Sequence, residues 1–250
     1  MKTLVIDVGG THIKFAVTGE AGSRQLASGP GMSAVGMVSQ VLAATRDWQY
    51  EVVSIGYPGP VRHGQPIREP WNLAEGWVGF DYEQRFGRPV RIVNDAAMQA
   101  LGSYVEGRML FLGLGTGLGS TLIVDGTLVP LELGHLPYRG GRSYEDCLGV
   151  HGLKRLGPKK WSRAVRDVVE RFRAALQPDY IVLGGGNAAR LRRIPDGARI
   201  GDNNDAFRGG FRLWESSAQS AHVLGAQHQP FPGRVRSSTA ARRAALAIRT

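Results

Sequence analysis

A carboxylate and an amine flank a tight glycine turn near the start of the chain. In the stretch VIDVGGTHIKFAV, Asp7 ends one apolar run and Lys14 lies within the next. Glycine allows successive backbone N–H groups to converge on an anion, and Mg²⁺ prefers oxygen ligands such as a carboxylate. The pattern therefore predicts a phosphate site with Asp7 orienting Mg²⁺, although an ordinary β-hairpin is the alternative. The predicted phosphate-binding residues are Gly9, Gly10, Thr11 and Lys14.

A second glycine-rich turn also lies between two apolar runs. GLGTGLGS, residues 113–120, places glycine at alternate positions between two apolar runs. Neither turn has the G-x-x-x-x-G-K-[ST] spacing of a Walker loop. A strand rather than a helix follows the second turn, which excludes a dinucleotide-binding fingerprint. The phosphate prediction therefore extends to Gly115, Thr116 and Gly117.

The elements that carry these turns indicate a mixed α/β protein. Strands are predicted at 3–8 and 12–18, a helix at 36–48, a strand ending in the loop GYPGP, and a strand ending at Asn94-Asp95 before a helix. The second turn joins two strands over 110–124, followed by a loop region to about residue 160, a helix at 161–176, a strand at 179–186 and a short helix. Because strand, glycine turn and strand occur twice, two similar lobes facing a cleft are expected.

Composition limits the class of protein. The 250-residue chain contains a single cysteine, Cys147, which excludes an intramolecular disulfide and a Cys-rich zinc site. No apolar run is long enough to cross a membrane, and the first residues lack a signal-peptide cleavage pattern. A cytoplasmic location is therefore expected. Half of the formal charge of +10 comes from five arginines in 217–250, a segment without acidic residues that is predicted to be disordered.

The glycine turns resemble those of a known superfamily. IDVGGTHIK and GLGTGLGS resemble the first and second phosphate motifs of the sugar kinase/Hsp70/actin-like superfamily. LGGGNA, residues 183–188, resembles its third glycine-rich element, and a glycine loop between a strand and a helix start also suits an anion. The resemblance implies a two-lobed actin-like/ribonuclease H-like α/β fold with a cleft between the lobes. It adds Gly184 and Gly185 to the phosphate-binding residues.

The segment NDAAMQALGSY, residues 94–104, resembles the ROK group of sugar kinases. This resemblance implies that Asp95 is the general base and that Asn94 binds a sugar hydroxyl. The chemistry is sound, because a carboxylate within hydrogen-bond reach can take the proton of an attacking hydroxyl. An adjacent amide can donate and accept, which suits a diol. A plain helix N-cap is the alternative for this pair.

Further ROK-like segments supply a sugar pocket. GYPGP resembles the turn that precedes that pocket, WNLAEGWVG resembles an Asn-Leu-x-x-Trp segment, and ELGH matches Glu-x-Gly-His. The divergent segment RSYEDCLG contains a glutamate where a second sugar-binding glutamate is expected. An isolated histidine is more often structural than ligand-binding, so a structural role is the alternative for the histidine of ELGH. By resemblance, the sugar-binding residues are Asn72, Asn94, Glu132, His135 and Glu145.

The chain departs from most ROK members in one respect. They carry a Cys-rich zinc knuckle after Glu-x-Gly-His, where this chain has only Cys147. Zinc-free members with similar segments are the polyphosphate glucokinases, and the likeness spans roughly residues 1–215. The resemblance implies glucose as acceptor, polyphosphate or ATP as donor, Mg²⁺ but no zinc, and a homodimer.

A basic strip lies between residues 154 and 173. It contains eight lysines and arginines but only two acids, Asp167 and Glu170. A polyanion gains from such a strip because each cation that meets a phosphate releases counterions. A solvated helix face is the alternative, and nucleic acid is disfavoured because no aromatic residues alternate with the basic ones. The residues assigned to polyphosphate are Lys154, Arg155, Lys159 and Lys160.

The sequence thus predicts a polyphosphate/ATP-dependent glucokinase with a small lobe over 1–95, a large lobe over 96–216 and the basic tail over 217–250. An ATP-only hexokinase of ROK type is the alternative among enzymes. A non-catalytic sugar sensor is the alternative from another class, and the retained Asp7 and Asp95 argue against it. No nucleic-acid or membrane partner is expected.

Overall fold

The computed structural model describes residues 1–202 and 204–215, and the predicted tail at 217–250 lies outside the described residues. The strands are β1 (Thr3–Val8), β2 (His12–Val17), β3 (Arg24–Ala27), β4 (Val52–Tyr57), β5 (Val61–Arg62), β6 (Gln65–Pro66), β7 (Val90–Asn94), β8 (Arg108–Leu114), β9 (Leu118–Val124), β10 (Thr127–Leu131), β11 (Pro137–Arg139), β12 (Arg142–Ser143), β13 (Tyr180–Gly184) and β14 (Ala198–Ile200). The helices are α1 (Ala34–Ala44), α2 (Tyr82–Phe86), α3 (Asp95–Ser103), α4 (Tyr144–Leu148), α5 (Val150–Leu176) and α6 (Asp205–Glu215), with 3-10 turns at Leu133–His135 and Ala188–Arg190.

Two five-stranded sheets share one topology. Their strand orders are β3-β2-β1-β4-β7 and β10-β9-β8-β13-β14. In each sheet, three antiparallel strands are followed by two that run parallel to the third. Leu4 pairs with Val17 across the first glycine turn, and Leu114 pairs with Leu118 across the second. The predicted repeat of strand, glycine turn and strand is confirmed.

Each sheet has its own hydrophobic core. α1 and α2 pack against the first sheet, where Met37 and Phe86 join buried side chains such as Ile6. α5 packs against the second sheet, where Trp161 meets buried side chains such as Leu112. The buried residues of α1 and α5 recur at the spacing of one helical face, which is why these two helices pack against the sheets. Two covered sheets give the two-lobed α/β architecture.

α3 and α6 cross closely between the two cores. α3 contacts β4, β8 and β9, while α6 contacts α3, β1 and β4. A Cβ added to Gly102 of α3 would lie 1.8 Å from the carbonyl oxygen of Asp205, and one added to Gly209 of α6 would lie 1.8 Å from that of Met98. This close backbone packing fixes the position of α3. Because α3 begins with Asp95, it also fixes the position of that residue.

α6 ties the end of the described chain to the first sheet. The Ser54 hydroxyl of β4 donates to the Gly210 carbonyl at 2.6 Å and lies 2.9 Å from the indole nitrogen of Trp214, which donates to it. The predicted large lobe therefore contributes a helix to the sheet of the predicted small lobe. The boundary at residue 95 stays a prediction.

The predicted loop region that ends at about residue 160 is wrong. It contains the β11–β12 hairpin, α4 and the first turns of α5. α5 starts at Val150 rather than 161, with a break at Gly157 (φ 72) before Pro158. The Gly-Pro pair ends the regular helix locally, but Leu153 before it and Trp161 after it are both buried in the second core. The hairpin escapes prediction because strands of two and three residues carry too little periodicity.

Other boundaries move by a few residues. The helix predicted at 36–48 is α1, which begins earlier because the Ser33 side chain accepts the N–H of Gly36 at 3.2 Å. Among the described residues, no helix is both long and apolar enough to span a bilayer.

Candidate active site

Two carboxylates lie close together at one edge of the first sheet. Asp7 is near the end of β1, and Asp95 follows β7 directly, with β4 between the two strands. In the register of the sheet, Asp7 pairs with Gly56 of β4, and Gly56 pairs with Val93 of β7. A Cβ added to Gly56 would lie 3.6 Å from Asp7 Oδ1 and 2.4 Å from Met98 Cε. A side chain at position 56 would therefore collide with Met98 and come into contact with Asp7.

Both acids have raised pKa values. The pKa of Asp95 is raised to about 7, chiefly by burial and also by the charges of Asp7 and Glu132, against a 2.8 Å hydrogen bond donated by the N–H of Ala96. Burial raises the pKa of Asp7 to about 6, against the lowering effect of Lys14, its cross-strand partner. A carboxyl group whose pKa is near neutrality suits proton transfer at working pH.

Asn94 sets the start of α3. Its side-chain oxygen accepts the N–H groups of Ala96 and Ala97 at 3.0 and 3.2 Å, and its amide nitrogen donates to the carbonyl of Gly59 at 3.1 Å. Asn94 is therefore an N-cap that also fixes the GYPGP loop. These bonds orient Asp95, the next residue. The contact of Asn94 with a sugar hydroxyl stays a prediction. The second hydrogen of its side-chain amide would make that contact.

The first glycine turn lies beside a predicted sugar-binding residue. Gly9 and Gly10 connect β1 to β2, and the side chains of Thr11 and Lys14 are exposed next to them. The Cβ of Asn72 lies 3.4 Å from the position of a Cβ added to Gly10. The structure thus brings Asn72 to the predicted phosphate turn.

The loop that carries Asn72 is anchored by Glu69, which sequence reasoning missed. Its carboxylate accepts the N–H groups of Trp77 and Val78, both at 3.1 Å. Trp77 is buried with its ring 5.8 Å from that of Tyr57. No motif signals Glu69, because its partners are backbone groups that any residue provides.

Glu145 contacts the second glycine turn. Its Oε2 accepts the N–H of Leu118 at 3.1 Å and would lie 2.1 Å from a Cβ added to Gly117. A Cβ added to Gly119 would lie 2.7 Å from the Cβ of Ala96. The second turn is therefore packed against the first turn of α3, next to Asp95.

The third glycine-rich segment lies against the second turn. Gly185 has φ 78, and a Cβ there would be 2.6 Å from the carbonyl oxygen of Leu114, so only glycine fits. Asn187 donates its N–H to the Leu114 carbonyl at 2.9 Å and its side-chain amide to the Gly115 carbonyl at 3.0 Å. Gly184 directly precedes Gly185 in this segment. Thr116, whose side chain is exposed, lies in the second turn, which Asn187 supports. Asn187 was missed as a site residue, although an asparagine after three glycines is a usable signal.

Glu132 and His135 contact each other. Glu132 Oε2 lies 3.3 Å from His135 Nε2, and their side chains are 61% and 63% exposed. Between them, a Cβ added to Gly134 would lie 2.8 Å from the carbonyl oxygen of Leu118, so this segment packs on the second turn. The charge of Glu132 raises the pKa of Asp95, which indicates that the Glu132 carboxylate faces Asp95.

The carboxylate of Asp7 is the type of ligand that Mg²⁺ prefers. Within residues 1–202 and 204–215, no group of three or more His, Cys, Asp and Glu side chains could hold a metal ion. Mg²⁺ in phosphate sites is commonly bound by one or two carboxylates together with substrate oxygens. A cation beside Asp7 would offset the repulsion that raises the pKa of Asp95. The absence of zinc stays a prediction.

The fold divides the predicted basic strip. Arg155 and Lys160 line a cleft of about 390 Å³ between the β11–β12 hairpin and α5, whereas Lys154 and Lys159 are exposed on α5 and do not line it. We call this space the basic cleft. Its other cationic lining residues are Arg139, Arg142 and Arg163.

Comparison with known proteins identifies the family. A model of the ROK family matches residues 3–140. This chain belongs to the ROK family. A polyphosphate glucokinase of Mycobacterium tuberculosis is 31% identical over 204 residues, which cover 72% of this chain and 76% of the relative. An N-acetylmannosamine kinase of Vibrio cholerae is 29% identical over 150 residues, which cover 51% of this chain and 50% of that relative.

Solved structures share the fold of this ROK protein. The inorganic polyphosphate/ATP-glucomannokinase from Arthrobacter sp. strain KM superposes with a TM-score of 0.73 at 24% identity, covering 85% of this chain and 97% of that one. A ROK family glucokinase from Streptomyces griseus, solved with glucose and AMPPNP, gives 0.72 at 18% identity, covering 85% and 99%. The predicted two-lobed actin-like fold is confirmed.

Proposed function

We propose that this protein is a hexokinase that transfers a phosphoryl group from inorganic polyphosphate or ATP to the 6-hydroxyl of glucose. The observation that carries the proposal is the position of Asp95, a carboxyl with a pKa of about 7 beside Asp7 and next to the second glycine turn. The names of the relatives support glucose as acceptor and polyphosphate as donor.

Asp95 acts as the general base. Its carboxylate accepts the proton of the attacking hydroxyl as the new phosphorus–oxygen bond forms and the bond to the leaving phosphate breaks. Asn94 holds the backbone of Asp95 in place by capping α3, which keeps the carboxylate within reach of the acceptor. Mg²⁺ held at Asp7 would neutralise charge on the transferred group.

The sugar lies between the two glycine turns in this proposal. Asn72 approaches from the first turn and Glu145 from the second, while Glu132 and His135 extend from the segment that packs on the second turn. Hydrogen bonds from several sides orient one hydroxyl toward Asp95, which lowers the entropic part of the barrier. Closure of the lobes on the sugar would exclude water as a competing acceptor.

The phosphate chain lies along backbone N–H groups of the turns. Lys14 supplies positive charge at the first turn, and the exposed Thr116 supplies a hydroxyl at the second. Asn187 stiffens the second turn by holding the Gly115 carbonyl. This support orients the N–H groups of the turn before the donor arrives.

The test is direct. Purified protein is incubated with glucose, Mg²⁺ and either long-chain polyphosphate or ATP, and glucose 6-phosphate is measured. Product from polyphosphate supports the proposal. Product from ATP alone would overturn the polyphosphate assignment and leave an ATP-dependent hexokinase. Glucose binding without product from either donor would indicate a sugar sensor instead.

A further inference from the structure

We propose that the basic cleft is a second anion site, which holds the distal phosphates of a polyphosphate chain while its reacting end occupies the glycine turns. This inference rests on the proposed function and deepens it. It assigns binding to Arg139 and Arg142 of the β11–β12 hairpin, which the basic strip of the sequence did not include. It also excludes Lys154 and Lys159, which do not line the cleft.

The charges of the cleft are one-sided. Half of its ten lining residues are arginine or lysine, and none is acidic. The nearest acids are already engaged. Asp167 lies 3.0 Å from the Arg139 guanidinium and 2.8 Å from that of Arg171, and Asp146 accepts the N–H and hydroxyl of Ser143, both at 2.9 Å. Converging cations with few counter-charges raise the local potential and attract a polyanion.

Three of the cations have no direct ion-pair partner, and the charge of Arg142 acts at longer range to lower the pKa of Asp146. In the part of the chain that the structure describes, Arg142, Lys160 and Arg163 form no ion pair with an acidic side chain. They come from both walls of the cleft, the hairpin and α5. Direct ion pairs between the walls therefore do not account for them.

The cleft lies one short helix away from the second glycine turn. Glu145 of α4 touches that turn, and Cys147, two residues later on α4, lines the cleft. Arg155 donates to the carbonyl of Asp146 at 2.8 Å and so joins the cleft to the same helix. Since a helix with its side chains is about 10 Å across, an extended phosphate chain can reach from the turn to the cleft.

The lining disfavours nucleic acid as the occupant. Tyr138 is the aromatic residue that lines the cleft, and its ring already stacks on Tyr144 with centroids 4.8 Å apart. The guanidiniums of Arg139 and Arg171 lie over the same ring at 4.8 and 5.7 Å. A base would find no free aromatic face to stack on. A chain of phosphates needs only the cations.

The experiment compares two double variants that each remove two positive charges. The cleft variant is Arg142→Ala with Arg163→Ala, and the control is Lys159→Ala with Arg166→Ala, both exposed on α5 and outside the cleft. Calorimetric titration at fixed ionic strength gives the affinity for long-chain inorganic polyphosphate and for tripolyphosphate. The melting temperature of each variant checks the fold.

The cleft variant should bind long-chain polyphosphate about tenfold more weakly than the control, with a salt dependence reduced by about one to two counterions. Tripolyphosphate, which is too short to span both sites, should show a smaller difference between the two double variants than long-chain polyphosphate does. Equal long-chain affinities of the two double variants would overturn the proposal. The proposal would also be overturned if single-stranded RNA bound more tightly than polyphosphate and its binding depended on the same two arginines. If polyphosphate binding depends on the cleft but no glucose 6-phosphate forms from it, the cleft assignment stands and the donor assignment fails.

Discussion

The charge of Asp7, near the end of β1, raises the pKa of Asp95, which follows β7 on the other side of β4. Two features create this relationship. The strand order β1-β4-β7 places both acids at one edge of the sheet, and the Asn94 cap starts α3 at Asp95. A general base with a pKa near neutrality thus results from burial together with a second carboxylate, and it has measurable consequences.

The first consequence is a pH profile. The kcat/KM for glucose should rise with pH and be half-maximal near pH 7, and well below that pH it should fall about tenfold per pH unit because Asp95 becomes protonated. Initial rates between about pH 5.5 and 8.5 at constant ionic strength measure this. A profile that is flat through this range would show that a group other than Asp95 controls the reaction.

Removing the base should separate catalysis from binding. Asp95→Asn keeps the shape of the side chain, so we expect kcat to fall by about 10²–10⁴-fold while glucose affinity changes little. The matched control is Asp125→Asn, in the turn between β9 and β10 at φ 47, where asparagine is well tolerated. Near-normal turnover in Asp95→Asn would remove this residue from the mechanism.

The same substitution should stabilise the protein at alkaline pH. The folded-state pKa of Asp95 lies above its ordinary value, so the native state holds a proton that the unfolded state releases between about pH 4 and 7. The free energy of unfolding therefore falls as pH rises through this window, and the penalty is complete above pH 7. Asp95→Asn removes the charge, and we expect a gain of about 1–3 kcal/mol at pH 8 with little change at pH 4.5. Chemical denaturation at both pH values measures the difference, and a loss of stability at pH 8 would contradict the raised pKa.

Two glycines of the second turn should respond differently to alanine. A methyl group on Gly117 would meet the carboxylate of Glu145, so Gly117→Ala should displace Glu145 from the Leu118 N–H and raise the KM for glucose. A methyl group on Gly115 meets no protein atom within 4 Å, so Gly115→Ala should leave the melting temperature unchanged and raise the KM for the phosphoryl donor. Steady-state kinetics with each substrate varied in turn distinguishes the two. Identical KM changes in both variants would argue against separate sugar and phosphate sides of this turn.

The glycine turns were predictable from the sequence because a turn between two strands is a local feature. The repeat of strand, turn and strand and the proximity of Asn94-Asp95 to a helix start follow from patterns within about twenty residues. Glu69 was not predictable in the same way, since it acts on backbone groups brought together by the fold. The basic cleft is similar: Arg139 and Arg142 come from a hairpin too short to show periodicity, and Arg155 comes from the part of α5 before the Gly157 break, where a loop was predicted.

The crossing of α3 and α6 offers a test of how Asp95 is held. A Cβ on Gly209 would lie 1.8 Å from the Met98 carbonyl and 2.9 Å from the backbone nitrogen of Gly102, so neither helix can yield by moving a side chain. Gly209→Ala should therefore cost about 1–3 kcal/mol or more in the free energy of unfolding. Gly36→Ala is the matched control in α1, where a Cβ meets only ordinary contacts from 3.5 Å outward, and it should stabilise by about 0.5–1 kcal/mol. Since α3 carries Asp95, Gly209→Ala should also lower kcat at temperatures where it remains folded. Equal stability of the two variants would show that α3 and α6 do not cross as closely as the structure has them.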